Sequence, residues 1–336
     1  MATINDVSKL AGVSKATVSR VINNKEPIKS STRELVFDAI KTLNYKPNSL
    51  AQALANKTSK TIGLITSDFD GNYFGVLLKE SAKFAHRSDK QLIVTDGRND
   101  PIREIEAIDS LVARCCDVIL LYSRKLTTQD FKDIKARTNI PIVIMNREIL
   151  DNIYCSVWFD HFHASSLATN HLLDLGHVNI ACITGAMSSK TSETRYRAFQ
   201  ECLQERGVIE NQHLIVEGDY TIESGYNACK TILSNKVHFT ALYAFNDDMA
   251  IGAIRALHEF GISVPKQISV IGIDNEPFAS FITPALTTIE LPIKDITNTA
   301  MRFALDLANG EAILTTERSF KGKLIVREST AINSYS

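Results

Sequence analysis

Two groups of residues in this chain have types and spacing that can do chemistry, and in both the chemistry is recognition. The first is Lys15, Ala16, Ser19, Arg20 and Asn23, on one side of a helical pattern whose other side is Val18, Val21 and Ile22. That polar side has no core role. Its donors suit phosphates and base edges, and the planar fork of Arg20 suits guanine. The second group is Ser67, Phe74, Asn146, Phe159, Tyr220, Asn246 and Asp274, at or soon after the ends of apolar runs, with Arg195, which opens a helix after the polar loop 188–194. Amides, carboxylates and guanidinium groups match the vicinal hydroxyls of a sugar, and aromatic rings match the apolar face of a pyranose. The mixture is a sugar pocket in kind. On residue type alone, Arg195 also suits a surface ion pair, and Asn246, Asp247 and Asp274 also suit helix caps.

The first group needs a helix to present it, and residues 1–46 supply three. Ile4, Val7, Leu10 and Ala11 give the first an apolar face. Thr3 and Asp6 form a capping pair, and Gly12 ends the helix where a positive φ costs little. Ser14 caps the second. A third starts near Ser30 or Ser31 with Glu34 as capping partner, and buries Val36, Ala39, Ile40 and Leu43. Two helices joined by a short glycine-containing turn make a helix-turn-helix, whose second helix enters the major groove. Charge agrees. Residues 1–57 hold nine Lys or Arg against four Asp or Glu, while the remainder holds 28 against 34. A basic head on an acidic body is what phosphate contact predicts.

Residues 47–59 read as a hinge. Pro47 blocks continuation of the third helix, and Asn48 can cap a short new one that places Leu50 and Leu54 on one face. Isolated helices need about 12–15 residues in water, so this one is expected to order only with a partner. Leu54 is placed to wedge between base steps in the minor groove. Packing of both leucines on the body is the alternative.

The words Thr3-Ile4-Asn5-Asp6-Val7, Ala11-Gly12-Val13-Ser14, Ala16-Thr17-Val18-Ser19-Arg20-Val21-Ile22-Asn23 and Asn44-Tyr45-Lys46-Pro47-Asn48, followed by Leu50-Ala51-Gln52-Ala53-Leu54, carry a resemblance. The chain resembles the lactose-repressor/galactose-repressor family of bacterial regulators over essentially its whole length. The resemblance implies DNA contacts from Thr3, Ser14, Lys15, Ala16, Thr17, Ser19, Arg20, Asn23, Tyr45, Asn48, Ala51 and Leu54. Lys15, Ala16 and Arg20 would read bases, and Leu54 would intercalate. Asn146-Arg147, the run from Ser156 to His161 and Ala250-Ile251-Gly252-Ala253 are similar to the galactose-repressor and β-glucoside-repressor branch. That implies a galactoside or β-glucoside effector. Tyr220 stands where one relative has Trp, and Asn146 where another has Asp, so the sugar is left open.

From Lys60 the period changes. Strands are expected at 61–66, 91–96, 118–122, 141–146, 156–159, 179–185, 214–219, 241–247, 269–274, 286–291 and 323–328. Helical segments at 75–88, 102–114, 164–175, 195–206, 224–234 and 248–260 lie between them. Such alternation gives parallel sheets with helices on both faces. The strands exceed one comfortable sheet, so two α/β lobes are expected. In such sheets ligands sit beyond the carboxyl ends of the strands, where the second group lies. The resemblance implies a periplasmic-binding-protein-like body with crossings between lobes: residues 60–158 plus 288–317 in the first lobe, and 159–287 plus 318–330 in the second. It also places Arg195, Asn246 and Asp274 at effector-contacting positions, and Phe74, Asn146, Phe159 and Tyr220 in the pocket.

No apolar run of 18 residues occurs and no apolar leader opens the chain, so a cytoplasmic, nucleoid-associated protein without a membrane span is expected. The six cysteines lack CxxC spacing and read as buried free thiols. His161 and His163 could share a strand face, but no third metal ligand is near, so neither a metal nor a cofactor is expected. One head reads one half-site of a pseudo-palindromic operator, so a homodimer is expected. Thr330–Ser336 carry no leucine heptad, so the tetramer helix of the lactose repressor is expected to be absent. A sugar-binding protein without a regulatory role, or a regulator governed by a protein corepressor, are the rival readings. The chain shows no nucleophile elbow, P-loop or dinucleotide fingerprint, and an enzyme is not expected.

Overall fold

A computed structural model of the chain describes residues 2–23, 27–46, 58–67, 69, 71–149, 154–313 and 318–334. The head is α1 (Ile4–Ala11), α2 (Lys15–Ile22) and α3 (Ser30–Thr42). Its core is Val7, Val18, Val21, Val36 and Ala39, with Ile4, Ala11, Ile22, Ile40, Leu43 and Tyr45 packed around it. Gly12 ends α1 at φ 65°, and Ser14 caps α2 by accepting from the Thr17 N–H. Two expectations fail here. Leu10 is 53% exposed, because Ile4, Val7 and Ala11 already complete the inward stripe and Leu10 falls to its side. Lys29, which offers no acceptor, stands at the N-cap of α3, and Glu34 is exposed without a capping role.

The body enters through Thr58 and Ser59, both hydrogen-bonded to Asp117, which also holds Lys90 at 2.8 Å. Then come β1 (Thr61–Thr66), α4 (Gly71–Arg87), β2 (Gln91–Asp96), α5 (Pro101–Ala113), β3 (Val118–Tyr122), α6 (Thr128–Arg137), β4 (Ile142–Met145) and β5 (Cys155–Phe159). There follow α7 (His161–Asp174), β6 (Ile180–Thr184), α8 (Lys190–Glu205), β7 (Ile215–Glu217), α9 (Ile222–Ser234), β8 (Ala241–Ala244), α10 (Asp247–Glu259), β9 (Ser269–Asp274) and β10 (Thr287–Glu290). The chain closes with α11 (Ile293–Ala308), β11 (Ser319–Phe320) and β12 (Lys323–Ile325).

The strands form two sheets in matching order, β2-β1-β3-β4-β5-β11 and β7-β6-β8-β9-β10-β12, parallel throughout except where β12 runs against β10. The central strands of the first sheet, β3 and β4, are apolar on both faces. Val118, Leu120 and Tyr122 of β3 join the larger core, while Ile119 and Leu121 face Ile108, Phe131 and Ile134 of the covering helices. Thr127 and Asp130 form a capping box for α6, a helix the apolar period alone does not reveal. The chain crosses between sheets after β5, after β10 and after β11. Ser319 pairs with Trp158 and Phe320 with Phe159. The last crossing therefore lies beyond Phe320 rather than at the 317–318 boundary that the resemblance implies, since a two-residue strand is too short to announce itself.

Cys115 and Cys155 are half-exposed, unlike the other four cysteines, because they sit at a turn and at a strand start. His161, Phe162 and His163 lie in the first turn of α7, not on a strand, so the two imidazoles do not share a face. No group of three His, Cys, Asp or Glu among the described residues is placed to hold a metal, and no described helix is long and apolar enough to cross a membrane.

Candidate functional site

In both sheets the strand order reverses beside the first strand of the lobe, and the crevice outside the carboxyl ends at that reversal is the natural ligand site. A cavity of about 510 Å³ lies there, between the lobes. From the first lobe it takes Phe74 on α4, Tyr122 at the end of β3, Arg124 after it, and Asn146 after β4. From the second it takes Arg195 on α8, Tyr220 after β7, Asn246 before α10, and Asp274 at the end of β9. A second cavity of about 320 Å³ adjoins it, sharing Arg124, Asn146, His161 and Thr191. Phe159 lines this second space. Ser67 is buried and lines neither; its hydroxyl has no hydrogen-bond partner.

Three strand-end residues here, Asn146 (φ 79°), Tyr220 (φ 73°) and Asp274 (φ 123°), adopt left-handed backbone. Such conformations are costly for residues with a side chain and cluster where the chain aims side chains at a ligand. Gly185 makes room for the Tyr220 ring, since a Cβ there would lie 2.2 Å from it. The Tyr220 hydroxyl meets Ser192 Oγ at 2.7 Å.

Arg195 is 3% exposed, which removes the surface ion-pair reading. It does not open its helix either. Ser189 is the N-cap and α8 begins at Lys190, because the first turns of α8 line the cleft and so lack the apolar period that marks a helix. The Arg195 guanidinium donates to the Phe245 carbonyl, donates through Nη2 to His161 Nδ1 at 3.2 Å, and lies 3.9 Å from Asp274. His161 Nε2 in turn meets Asn146 Oδ1 at 3.2 Å. One imidazole thus links Asn146 of the first lobe to Arg195 of the second. Burial, and then Arg195 and Arg124, hold this imidazole well below its usual range. A neutral ring with its proton on Nε2 satisfies both contacts.

Burial pushes the Asp274 carboxyl up to about 7, against the lowering influence of Arg195. Asn246 caps α10 by accepting from the Met249 N–H at 3.0 Å and donates to the Tyr220 carbonyl at 2.9 Å. Its amide therefore orders the cleft wall as well as facing it. Asp247 is fully buried, accepts from Thr288 and from the Glu276 N–H, and lines neither of these two cavities. Sequence reading missed Arg124, Tyr122, Asp248 and Glu276, all of which line the larger cavity. The polar pair Ser123-Arg124 directly after β3 is the same strand-end signal used elsewhere.

On the head, Ser14, Lys15, Ala16 and Arg20 are exposed along α2, while Thr17, Ser19 and Asn23 are half-buried. Thr3 donates from both its N–H and its hydroxyl to Asp6, so its side chain is committed to the α1 cap. Asn23 turns its amide back onto Ser19. Tyr45 packs on the head's core. Asn48, Ala51 and Leu54 lie outside the described residues.

Residues 3–48 match the family described as bacterial regulatory proteins, lacI family, and residues 169–330 match a periplasmic binding protein-like domain. The HTH-type transcriptional regulator AscG of Escherichia coli (strain K12) is 38% identical over 332 residues, covering 98% of each chain. The lac repressor dimer bound to operator and the anti-inducer ONPF superposes with a TM-score of 0.86 at 30% identity, over 98% of this chain and 99% of that one. A sugar-binding transcriptional regulator of the LacI family from Escherichia coli, complexed with phosphate, superposes with a TM-score of 0.76 at 35% identity. It covers 82% of this chain and 100% of its own.

Proposed function

The chain belongs to the LacI family of bacterial regulatory proteins, and from that premise we infer a repressor of sugar-utilisation genes that acts on nucleoid DNA as a homodimer. Each head reads one half of a pseudo-palindromic operator through the exposed side of α2. A small sugar, a galactoside or a β-glucoside, binds between the lobes and lowers operator affinity. The observation that carries the reading is the cleft in which Arg195, Asp274, Tyr220 and Asn246 of one lobe face Phe74 and Asn146 of the other. A ligand that touches both walls stabilises the closed arrangement in proportion to its differential affinity for it. Sugar and operator then alter each other's binding by the same factor. Asn146, His161 and Arg195 form the polar thread along which closure is felt in both lobes.

The test is an operator titration by fluorescence anisotropy, with and without saturating galactosides and β-glucosides. Arg20→Ala should cost roughly 1–3 kcal/mol of operator affinity and relax preference at one base pair. Sugars that bind yet leave operator affinity unmoved would favour a protein corepressor. Sugar binding without any operator preference would favour the plain sugar-binding reading.

A further inference from the structure

The two adjoining cavities differ in charge. The larger is lined by five carboxyl residues, Asp219, Glu223, Asp248, Asp274 and Glu276, against Arg124 and Arg195. The smaller is lined by Arg124, Arg147, Lys190 and Arg197 against Glu148 and Asp160. Asp160 is already occupied in capping α7 through the His163 N–H. Carboxylates accept from sugar hydroxyls, so the larger space suits a neutral ring. The smaller suits negative charge.

Arg124 stands where the two spaces meet. It is half-buried, and its guanidinium carbon lies 5.6–5.8 Å from the ring centres of Phe74, Tyr122 and Tyr220. Among the described residues no carboxylate lies within ion-pair distance of it, whereas Arg195 has Asp274, Lys190 has Glu193 and Arg197 has Glu201. A desolvated guanidinium without an opposite charge is costly, and an anion beside it would lift that cost. A second feature borders the same space, the start of α8. Ser189 at the N-cap of the 16-residue α8 makes no side-chain capping bond, and its buried hydroxyl has no partner. The helix's first residues, Lys190 and Thr191, line the smaller cavity. The first-turn N–H groups and the helix dipole are thus left for an external acceptor.

We propose that the smaller cavity is an anion site and that the effector is a sugar carrying an anionic group, a phosphate ester or a carboxylate. Its ring lies among the carboxyl residues and its anion at Arg124 and the start of α8. This rests on the sugar reading above and narrows it. Phenyl β-glucoside, its 6-phosphate and phenyl β-glucuronide, with the galacto-configured set beside them, are titrated calorimetrically into the full-length protein. One of the anionic compounds should bind about tenfold or more tightly than its neutral parent, as charge-assisted hydrogen bonds would give. The better anion identifies which group the site takes. Arg124→Gln should collapse the ratio of anionic to neutral affinity, and Arg124→Lys should restore part of it. A neutral glycoside that binds as tightly as its anionic partners overturns the anion site and leaves the sugar reading intact. A ratio untouched in Arg124→Gln overturns the assignment to Arg124. Binding of none of the six compounds overturns the sugar reading itself, and this inference with it.

Discussion

Two buried charges dominate at the scale of single residues. Arg195 is held by a backbone carbonyl, an imidazole and a carboxylate, so its removal leaves three groups unanswered. Arg195→Ala should abolish the sugar response and also destabilise the fold by roughly 2–4 kcal/mol, read as a lower urea midpoint. An unaltered sugar affinity in the folded variant would detach Arg195 from the ligand. Glu104 is fully buried on α5 and has no ion-pair partner among the described residues. Burial pushes its carboxyl up to about 7. The folded chain therefore holds this proton more tightly than the unfolded chain, where a glutamate titrates near ~4.3. The stability it contributes is fully present below that value and is lost as pH rises through 7. Asp274 titrates in the same direction. Glu104→Gln should make the fall in melting temperature between pH 5 and pH 8 shallower, and should raise the value at pH 8. A slope identical to that of the parent would show that Glu104 is ionised in the folded state.

Between elements, the closest packing is that of α9 against α10. A Cβ on Gly225 would lie 2.3 Å from the Met249 carbonyl oxygen, and one on Gly252 would lie 2.0 Å from that of Ile222. Both obstacles are backbone and have no rotamer by which to yield. Gly252→Ala should cost about 1–3 kcal/mol or more by overpacking, measured as a shifted denaturant midpoint. Because Tyr220 and Asn246 precede these two helices, the same variant should weaken sugar binding. A folded variant of unchanged stability would mean the helices part without loss. The apolar period of such elements is legible in the chain because core faces repeat every turn. It fails at the start of α8, where residues 190–195 serve the cleft, and at α6, where only the cap marks the start.

For the whole molecule, the proposed control of operator affinity by a sugar has to pass from the body to the head. Thr58 and Ser59 are pinned by Asp117 at the amino end of β3, and Arg124 lies just past the carboxyl end of the same strand. The strand, paired on both sides by β1 and β4, runs from the residue that holds Thr58 and Ser59 to the cleft. Hydrogen bonds from Lys90, Thr58 and Ser59 keep the Asp117 carboxyl below its ordinary range despite burial. Asp117→Ala should leave sugar affinity in place while shrinking the sugar-induced change in operator affinity. An undiminished change would mean the linker is held by other contacts.

What the sequence by itself determined is local. Caps and apolar stripes named the three head helices, charge separated head from body, and strand-end residues supplied groups for both walls of a cleft. These signals survive in one dimension because helix and strand periods and turn chemistry act over a few residues. Only the tertiary structure decided which polar residues share a space. It turned Asn246 into a cap as well as a wall, hid Ser67, drew His161 off a supposed strand to bridge the lobes, and set Arg124 between two cavities with no carboxylate at ion-pair distance among the described residues. Those outcomes depend on three crossings between sheets, which bring together groups distant in the chain, and no period in the chain records where such crossings meet.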